Sequence, residues 1–307
     1  MKRLISLICL LALCFSVTAS ALAETPREIY PLDYDSLPDA LEGQHHYLLA
    51  CVDTWETKPK NLGNTDGVMM VTFDTRAKRL LFTTFMREML VQRPDGNIGR
   101  ITYIAKNYGP EALCRTISTH FGVKVEKYIL FSMDNVQTII DALGGVEITV
   151  TDAEAAYLNR YRIARDATTP SMDRGGTYLF GGHAAVIYMR IRKVGGDGDA
   201  GRTRRMRTVL STLALKYKDV TFSQAIDIIS SVTDNLCVTN MTMNDMLQAV
   251  GYAIQLTGVE PEGLQMPTDE SMEPITYAGM STRQVDFEMC RTVLQEFLDN
   301  SFVVADD

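Results

Sequence analysis

The stretch GVMMVTFDTRAKRLLFTTFM, residues 67–86, decides the fold class. It contains two short apolar runs, 67–74 and 79–86, and both are apolar on their two faces. That pattern is typical of strands that are buried on both sides of a sheet. We therefore predict a central sheet whose two faces are both covered by other parts of the chain.

The segments on either side of this stretch alternate between strand-like and helix-like patterns. Further apolar runs predict strands at HYLLACVD (46–53), KYILFS (127–132) and VEITV (146–150). Apolar residues spaced by three and four, with Gly at the end, predict helices over 109–122 and 133–145. The chain after residue 199 is predicted to be mostly helical, over 200–217, 222–232, 242–257 and 282–299, with 258–280 as a loop-rich joint. The sequence thus indicates an α/β fold, a mixed central β-sheet covered by helices.

The first 23 residues have the order of a secretory signal peptide. Lys2 and Arg3 precede an apolar run from Leu4 to Val17, and small residues follow up to Ala23. The apolar run is shorter than the roughly 20 residues that a transmembrane helix needs. We expect cleavage after Ala23 and export of the chain. The alternative is an uncleaved segment that anchors the chain in the membrane.

Seven basic residues crowd into positions 188–210 of a chain whose formal net charge is −8. An acidic, exported protein is a poor candidate for nucleic-acid binding, so these side chains need another anion. If 188–192 is extended, Arg190 and Arg192 share one face. On a helix that begins near Asp199, Arg202 and Arg205 lie three residues apart on one face. Arginines that converge from two elements suit bidentate contact with phosphate. The competing interpretation is a solvated basic helix face.

Two aspartates flank neighbouring predicted strands. Asp53 closes the strand 46–53, and Asp66 immediately precedes the strand 67–74. If these strands are antiparallel neighbours, both carboxylates lie at the same edge of the sheet. A pair of oxygen ligands there suits Mg²⁺ held together with substrate phosphates. The alternative is that both are ordinary loop aspartates.

Four stretches, in one unbroken order from residue 46 to about 217, resemble the LytR-CpsA-Psr family. They are TDGVMMVTFDTRAKRLLFTTFMRE (65–88), ITYIAKNYGPEALCRTISTHFGVKVEKYILFSMDNVQTIIDALGGVEITV (101–150), GGTYLFGGHAAVIYMRIRK (175–193) and GDAGRTRRMRTVL (198–210). Members of the family are extracytoplasmic phosphotransferases of Gram-positive bacteria. They move a glycopolymer from an undecaprenyl-pyrophosphate carrier to a sugar hydroxyl of peptidoglycan.

The resemblance implies an α-β-α fold whose core buries the polyprenyl chain, with Mg²⁺ as cofactor. It implies three interactions: a polyprenyl-pyrophosphate-linked glycan, a peptidoglycan acceptor, and contact with the outer membrane surface through the lipid substrate. It also implies a secreted, cell-wall-associated location. The implied domain organisation is a signal peptide over 1–23, a catalytic domain over 24–217, and a helical C-terminal extension over 218–307 packed on that domain.

Site residues follow from the resemblance by position. Asp53 and Asp66 are the implied Mg²⁺ ligands. The implied catalytic residues are Arg87, Arg190, Arg192, Asp199 and Arg202. The implied contacts to the pyrophosphate come from Arg87, Arg100, Arg190, Arg192, Arg202 and Arg205. For Asp199 the roles stay open: it serves as the base for the acceptor hydroxyl, it caps the helix that it begins, or it orients Arg202 three residues later.

The sequence departs from the family's usual motifs in four places. Asn64 stands where an arginine is usual, Glu88 replaces an aspartate, Arg100-Ile101-Thr102 replaces Lys-Ile-Asn, and Met206 replaces a glutamine. A lost guanidinium removes a charge-assisted hydrogen bond worth roughly 1.5–3 kcal/mol. Three hypotheses follow: a glycopolymer transferase, a lipid-pyrophosphate binder or regulator without turnover, and a polyprenyl-pyrophosphate hydrolase that uses water as acceptor.

Overall fold

The computed structural model describes residues 25–56, 60–160, 171–196, 198–216 and 238–299. Twelve strands lie within these ranges: β1 (Gln44–Val52), β2 (Thr65–Asp74), β3 (Arg79–Phe85), β4 (Leu90–Gln92), β5 (Ile98–Arg100), β6 (Lys127–Phe131), β7 (Val146–Val150), β8 (Gly176–Phe180), β9 (Val238–Thr239), β10 (Glu262–Met266), β11 (Met272–Tyr277) and β12 (Met280–Val285).

Six of these strands form one mixed sheet in the order β10-β3-β2-β1-β6-β9. Strand β2 pairs antiparallel with β1 and β3, while β1 pairs parallel with β6 and β3 pairs parallel with β10. Three two-stranded antiparallel pairs, β4–β5, β7–β8 and β11–β12, lie outside this sheet. The mixed central sheet predicted from the apolar runs is therefore confirmed.

Helices cover both faces of the sheet. The described residues contain α1 (Ile104–Tyr108), α2 (Pro110–Phe121), α3 (Met133–Ala142), α4 (Asp152–Arg160), α5 (Gly182–Met189), α6 (Gly198–Lys216), α7 (Met243–Gln255) and α8 (Phe287–Asp299). On one face, α2 and α8 pack against Leu48, Met70 and Leu81. On the other face, α6 packs against Met69 and Phe82. Successive strand residues serve opposite faces, so strand β3 is buried along its whole length.

The strands near 46–53, 67–74, 79–86, 127–132 and 146–150 and the helices near 109–122, 133–145, 200–217 and 242–257 are all found within a few residues of their predicted bounds. The predicted helix 222–232 and the signal peptide 1–23 lie outside the described residues. Among the helices that the structure describes, none is both long and apolar enough to cross a bilayer.

Two predictions about the C-terminal third are wrong. The last helix begins at Phe287 rather than 282, because residues 280–285 form β12, and the joint 258–280 contains β10 and β11. The region after 217 is not simply helical in its described part, since β9 and β10 are the two edge strands of the central sheet. The secondary structure of these segments is determined by pairing with distant strands, which local hydrophobic periodicity does not report.

The prediction that 188–192 is extended is also wrong. Residues 182–189 form helix α5, and Arg190 is its C-terminal cap. This helix is buried on nearly all sides, including Ala184, Ala185 and Tyr188. A short apolar run of this kind gives the same pattern whether it is a buried strand or a buried helix.

Candidate functional site

The end of the β1–β2 pair brings Asp53 and Asp66 to one edge of the sheet. The register places Cys51 opposite Gly67 and shifts before Val52, which lies opposite Thr65. The amide of Asp53 donates to the carbonyl of Asn64 at 2.8 Å. The antiparallel pairing and the shared edge expected for these two carboxylates are thus found in the structure.

Arginines from two other elements reach Asp66. Arg87, just after β3, binds one carboxylate oxygen of Asp66, and Arg202 on α6 lies 3.7 Å from the other. Arg87 also donates through Nε to Glu88 at 3.1 Å. The side chains of Asp66 and Arg202 are only 13% and 5% exposed, so these charges interact with little screening by water.

The arginines after α5 complete the cluster from its solvent side. Arg190 Nη1 lies 3.2 Å from Asp53 Oδ1, and Arg192 Nη2 lies 3.9 Å from Glu88 Oε1. Although the segment is not a strand, the turn that ends α5 still directs both guanidinium groups to this place. Four guanidinium groups and three carboxylates therefore meet at one end of the sheet, and we refer to Asp53, Asp66, Arg87, Glu88, Arg190, Arg192 and Arg202 as the charged cluster.

An apolar cavity of about 170 Å³ opens at this cluster. Sheet residues such as Met69 form its floor, and helices α3, α5 and α6 form its walls through Val136, Val186 and Val209. Its charged lining residues are Asp66, Arg190 and Arg202, all from the charged cluster. The cavity can hold a hydrocarbon chain while an anionic head group contacts the arginines.

One thiol also lines the cavity. Burial, followed by the charge of the nearby Asp66, raises the pKa of the Cys51 thiol to about 12. The thiol is therefore protonated at neutral pH, and Cys51 is not a thiolate nucleophile.

The donor set at the sheet edge fits Mg²⁺ by its chemistry. Within the described ranges, no group of three or more His, Cys, Asp or Glu side chains is arranged as a metal site. Mg²⁺, however, is commonly bound by one or two carboxylates together with substrate phosphates and water. Asp53 and Asp66, which lie at one edge of the sheet beside the arginines of the charged cluster, provide two such carboxylates.

Two residues implied by the family resemblance, Arg100 and Arg205, have other surroundings. Arg100 donates to the carbonyl of Ser281 at 2.6 Å. Arg205 is buried, pairs with Glu154 at 2.7 Å, and donates to the carbonyl of Ile191. The structure thus brings neither of them into contact with the charged cluster. Asp199 lies in the first turn of α6, but its side chain is outside the described part of the chain.

Two residues that depart from the family motifs, Glu88 and Met206, lie at this site. Glu88 contacts both Arg87 and Arg192, so a glutamate supplies the carboxylate here. Met206 packs directly over Gly67, since a Cβ added to Gly67 would lie 2.2 Å from the terminal methyl carbon of Met206. Met206 is also one of the apolar residues that line the cavity. Sequence reasoning did not identify Val136 and Ile140 as walls of the cavity, although they lie four residues apart on one face of α3.

Comparison with known proteins supports the family resemblance. Residues 26–292 match the model of the LytR_cpsA_psr family. Biofilm regulatory protein A of Streptococcus mutans is 26% identical over 224 residues, which are 69% of this chain and 54% of that protein. The Bacillus subtilis polyisoprenyl-teichoic acid–peptidoglycan teichoic acid transferase TagV is 23% identical over 255 residues, 81% of this chain and 63% of that protein.

Solved structures have the same fold. The crystal structure of B. subtilis TagV aligns with a TM-score of 0.65 and 19% identity over 84% of this chain and 98% of that one. The LytR-CPS2A-psr family protein YwtF (TagT), with bound octaprenyl pyrophosphate lipid, aligns with a TM-score of 0.61 and 18% identity over 90% of this chain and 95% of that one.

The chain spans between about half and two thirds of the length of the two curated relatives. The family model nevertheless covers the whole central sheet, the charged cluster and the walls of the cavity. On that match, and on the fold it shares with TagV and TagT, this chain belongs to the LytR_cpsA_psr family.

Proposed function

We propose that this chain transfers a glycopolymer from a polyprenyl-pyrophosphate carrier, of the undecaprenyl type, to a hydroxyl group of peptidoglycan. The observation that carries the proposal is the apolar cavity that opens directly at the charged cluster. The names of two relatives agree with it, since TagV is a teichoic acid transferase by name and the TagT structure holds octaprenyl pyrophosphate.

In this proposal the polyprenyl chain lies in the cavity and the pyrophosphate contacts the arginines. The acceptor hydroxyl oxygen attacks the phosphorus that carries the glycan, and the bond to the bridging oxygen breaks, leaving polyprenyl phosphate. The hydroxyl proton passes to solvent at the rim, where Asp53 is 45% exposed. Arg87, Arg190, Arg192 and Arg202 balance the negative charge that moves onto the leaving phosphate, which is the main contribution a protein makes to phosphoryl transfer.

Asp53 and Asp66 would hold Mg²⁺, which supplies charge neutralisation to the phosphates when bound. We expect the Mg²⁺-dependent part of polyprenyl-pyrophosphate binding to be lost in both Asp53→Ala and Asp66→Ala, because each removes one of two carboxylate ligands. Calorimetry with geranylgeranyl pyrophosphate, with and without Mg²⁺, measures this. An unchanged Mg²⁺ effect in both variants would rule out a metal at this edge.

Filling the cavity tests the lipid-binding step. Val209 is buried in the cavity wall, so Val209→Phe places a ring where the hydrocarbon chain would lie. We expect at least a tenfold loss of affinity for geranylgeranyl pyrophosphate. Val123→Phe is the matched control, because Val123 is also buried but packs in the cluster on the opposite face of the sheet. Equal affinities of the two variants would contradict the proposal.

A binder or regulator without turnover is the competing function, and two residues favour it. Asn64 stands in place of a motif arginine, and its buried side-chain oxygen has no hydrogen-bond partner within the described residues. Met206 places a thioether at the mouth of the cavity. Incubation with a lipid-linked glycan and peptidoglycan fragments separates these functions: the transferase forms the glycan–peptidoglycan product, the hydrolase releases free glycan phosphate, and the binder forms neither.

In this proposal the lipid enters from the outer membrane surface and the peptidoglycan acceptor approaches from the solvent side. The proposed secreted, cell-wall-associated location depends on residues 1–23. N-terminal sequencing of the exported chain, expected to begin at Glu24, tests it. Met1 retained in the membrane fraction would favour the anchored alternative.

A further inference from the structure

The turn after α5, residues 190–194, presents two arginines of the charged cluster. Arg190 and Arg192 are 37% and 51% exposed, and each faces a carboxylate of the cluster. The turn carries a third cation, Lys193, which is exposed. Because like charges repel one another, a conformation that presents these cations together needs support from the rest of the fold.

Arg205 on α6 supports this turn from its buried side. Its Nη1 donates to the carbonyl of Ile191 at 3.1 Å, and its Nη2 donates to the carbonyl of Val194 at 3.4 Å. These two carbonyls lie on either side of Arg192 along the chain. The guanidinium carbon of Arg205 also lies 6.0 Å from the centre of the Tyr188 ring, in the last turn of α5. One guanidinium group therefore holds both ends of the segment that presents Arg192.

Glu154 on α4 sets the orientation of Arg205. Its Oε1 accepts from Arg205 Nε at 2.7 Å, and the two side chains are only 10% and 3% exposed. Its Oε2 accepts from the amide of Thr151 at 3.0 Å and from the hydroxyl of Thr151 at 3.2 Å. Thr151 precedes α4, so this arrangement is a capping box that fixes the carboxylate at the start of the helix. Each oxygen of Glu154 thus has its own partner, and one of them faces Arg205.

We infer that Glu154 is a positioning residue for the pyrophosphate of the lipid substrate. It acts through Arg205 on the turn, and so holds Arg192 at the place where the phosphates bind. Glu154 itself does not touch the phosphates. The inference rests on the proposed function and adds to it a carboxylate that lies outside the charged cluster.

The physical reason is the cost of a buried charge. Without the carboxylate of Glu154, the guanidinium group of Arg205 loses the negative charge that neutralises it in a place with little water. Arg205 then moves toward solvent and releases the two backbone carbonyls of the turn. Arg192 remains in the chain, but it must be ordered when the pyrophosphate binds, and this ordering weakens binding.

Calorimetry with geranylgeranyl pyrophosphate tests this role, at a temperature at which circular dichroism shows every variant to be folded. Glu154→Gln keeps the size of the side chain and removes its charge, so we expect it to weaken binding at least fivefold. Glu154→Asp keeps the charge and should bind more tightly than Glu154→Gln. Thr151→Ala is the matched control, because it removes a hydroxyl of the capping box and leaves the pair of Glu154 with Arg205. That variant should have a lower melting temperature but an affinity within twofold of the wild type.

The same substitution in an Arg192→Ala background separates positioning from a general effect on the fold. With Arg192 absent, the segment has no side chain left to position, so adding Glu154→Gln should change the affinity less than twofold. A loss of equal size in both backgrounds would show that Glu154 is only a structural residue, which overturns the inference. Wild-type affinity in Glu154→Gln also overturns it.

Two further outcomes are separable from these. If Glu154→Gln does not fold, Glu154→Asp replaces it in both backgrounds, and an affinity equal to that of Thr151→Ala would overturn the inference. Failure of geranylgeranyl pyrophosphate to bind the wild type would instead contradict the proposed function itself.

Discussion

Two arginines fifteen residues apart show how the surroundings of a residue decide its role. Arg190 and its partner Asp53 are 37% and 45% exposed, at the mouth of the cavity. Arg205 and its partner Glu154 are 3% and 10% exposed, and Arg205 also donates to two backbone carbonyls. An exposed ion pair adds little to stability, whereas breaking a buried pair leaves an uncompensated charge.

Substitution of Arg190 should therefore affect mainly ligand binding, whereas substitution of Arg205 should affect mainly stability. Arg190→Ala is expected to weaken binding of geranylgeranyl pyrophosphate at least tenfold, about 1.4 kcal/mol, with little change in the free energy of unfolding. Arg205→Ala is expected to lower the free energy of unfolding by about 3 kcal/mol. Calorimetry and urea unfolding measure the two quantities. The control is Arg204→Ala, exposed on α6, which should change neither. Strong destabilisation by Arg190→Ala would make Arg190 a structural residue.

At the scale of elements, the cavity depends on a close approach of α3 and α5. An added Cβ at Gly182, in the first turn of α5, would lie 2.0 Å from the backbone carbonyl oxygen of Gln137 on α3. Backbone cannot move aside as a flexible side chain can. The glycine therefore fixes the distance between two helices that both line the cavity.

Gly182→Ala should separate these helices. We expect a loss of roughly 1–3 kcal/mol in the free energy of unfolding, typical of overpacking, together with weaker binding of geranylgeranyl pyrophosphate. Gly251→Ala is the matched control, because Gly251 lies within α7 and nothing is within 4 Å of its added Cβ. That variant should gain up to about 1 kcal/mol, since Ala favours helix over Gly. A neutral Gly182→Ala would show that the two helices are free to shift.

At the scale of the whole molecule, two buried histidines make stability depend on pH. Burial lowers the pKa of His46 and of His120 from 6.5 to about 4. The ring of His120 accepts from the Gln92 amide at 3.0 Å, while its Nδ1 lies 2.8 Å from the carbonyl of Thr116. The imidazole thus uses both nitrogens in its neutral form, one as donor and one as acceptor.

The unfolded chain binds protons at these histidines at a higher pH than the folded chain does. Stability is therefore present above pH 6.5 and is lost as the pH falls toward 4, by up to about 1.4 kcal/mol per pH unit for each histidine. Urea unfolding between pH 7.5 and 5.5, where carboxylates titrate little, measures the slope. His120→Gln should reduce the slope by about half. A wild-type stability that is flat over this range would show that neither histidine is buried in the neutral form.

The local sequence pattern by itself determined five strands and three residues of the candidate site. The apolar runs placed β1, β2, β3, β6 and β7. Three residues at or next to strand ends, Asp53, Asp66 and Arg87, proved to meet at one edge of the sheet. These features were predictable because burial imposes a period on the sequence and because ends of paired strands are neighbours.

Tertiary structure alone decided the rest. Residues 182–189 are a helix rather than a strand, and 262–266 joins the sheet by pairing with β3, about 180 residues earlier in the chain. Arg202 and Arg205 lie on one helix, yet one reaches Asp66 and the other Glu154. Whether an arginine faces an open cavity or a buried carboxylate depends on which distant segments pack beside it, and hydrophobic periodicity carries no information about that choice.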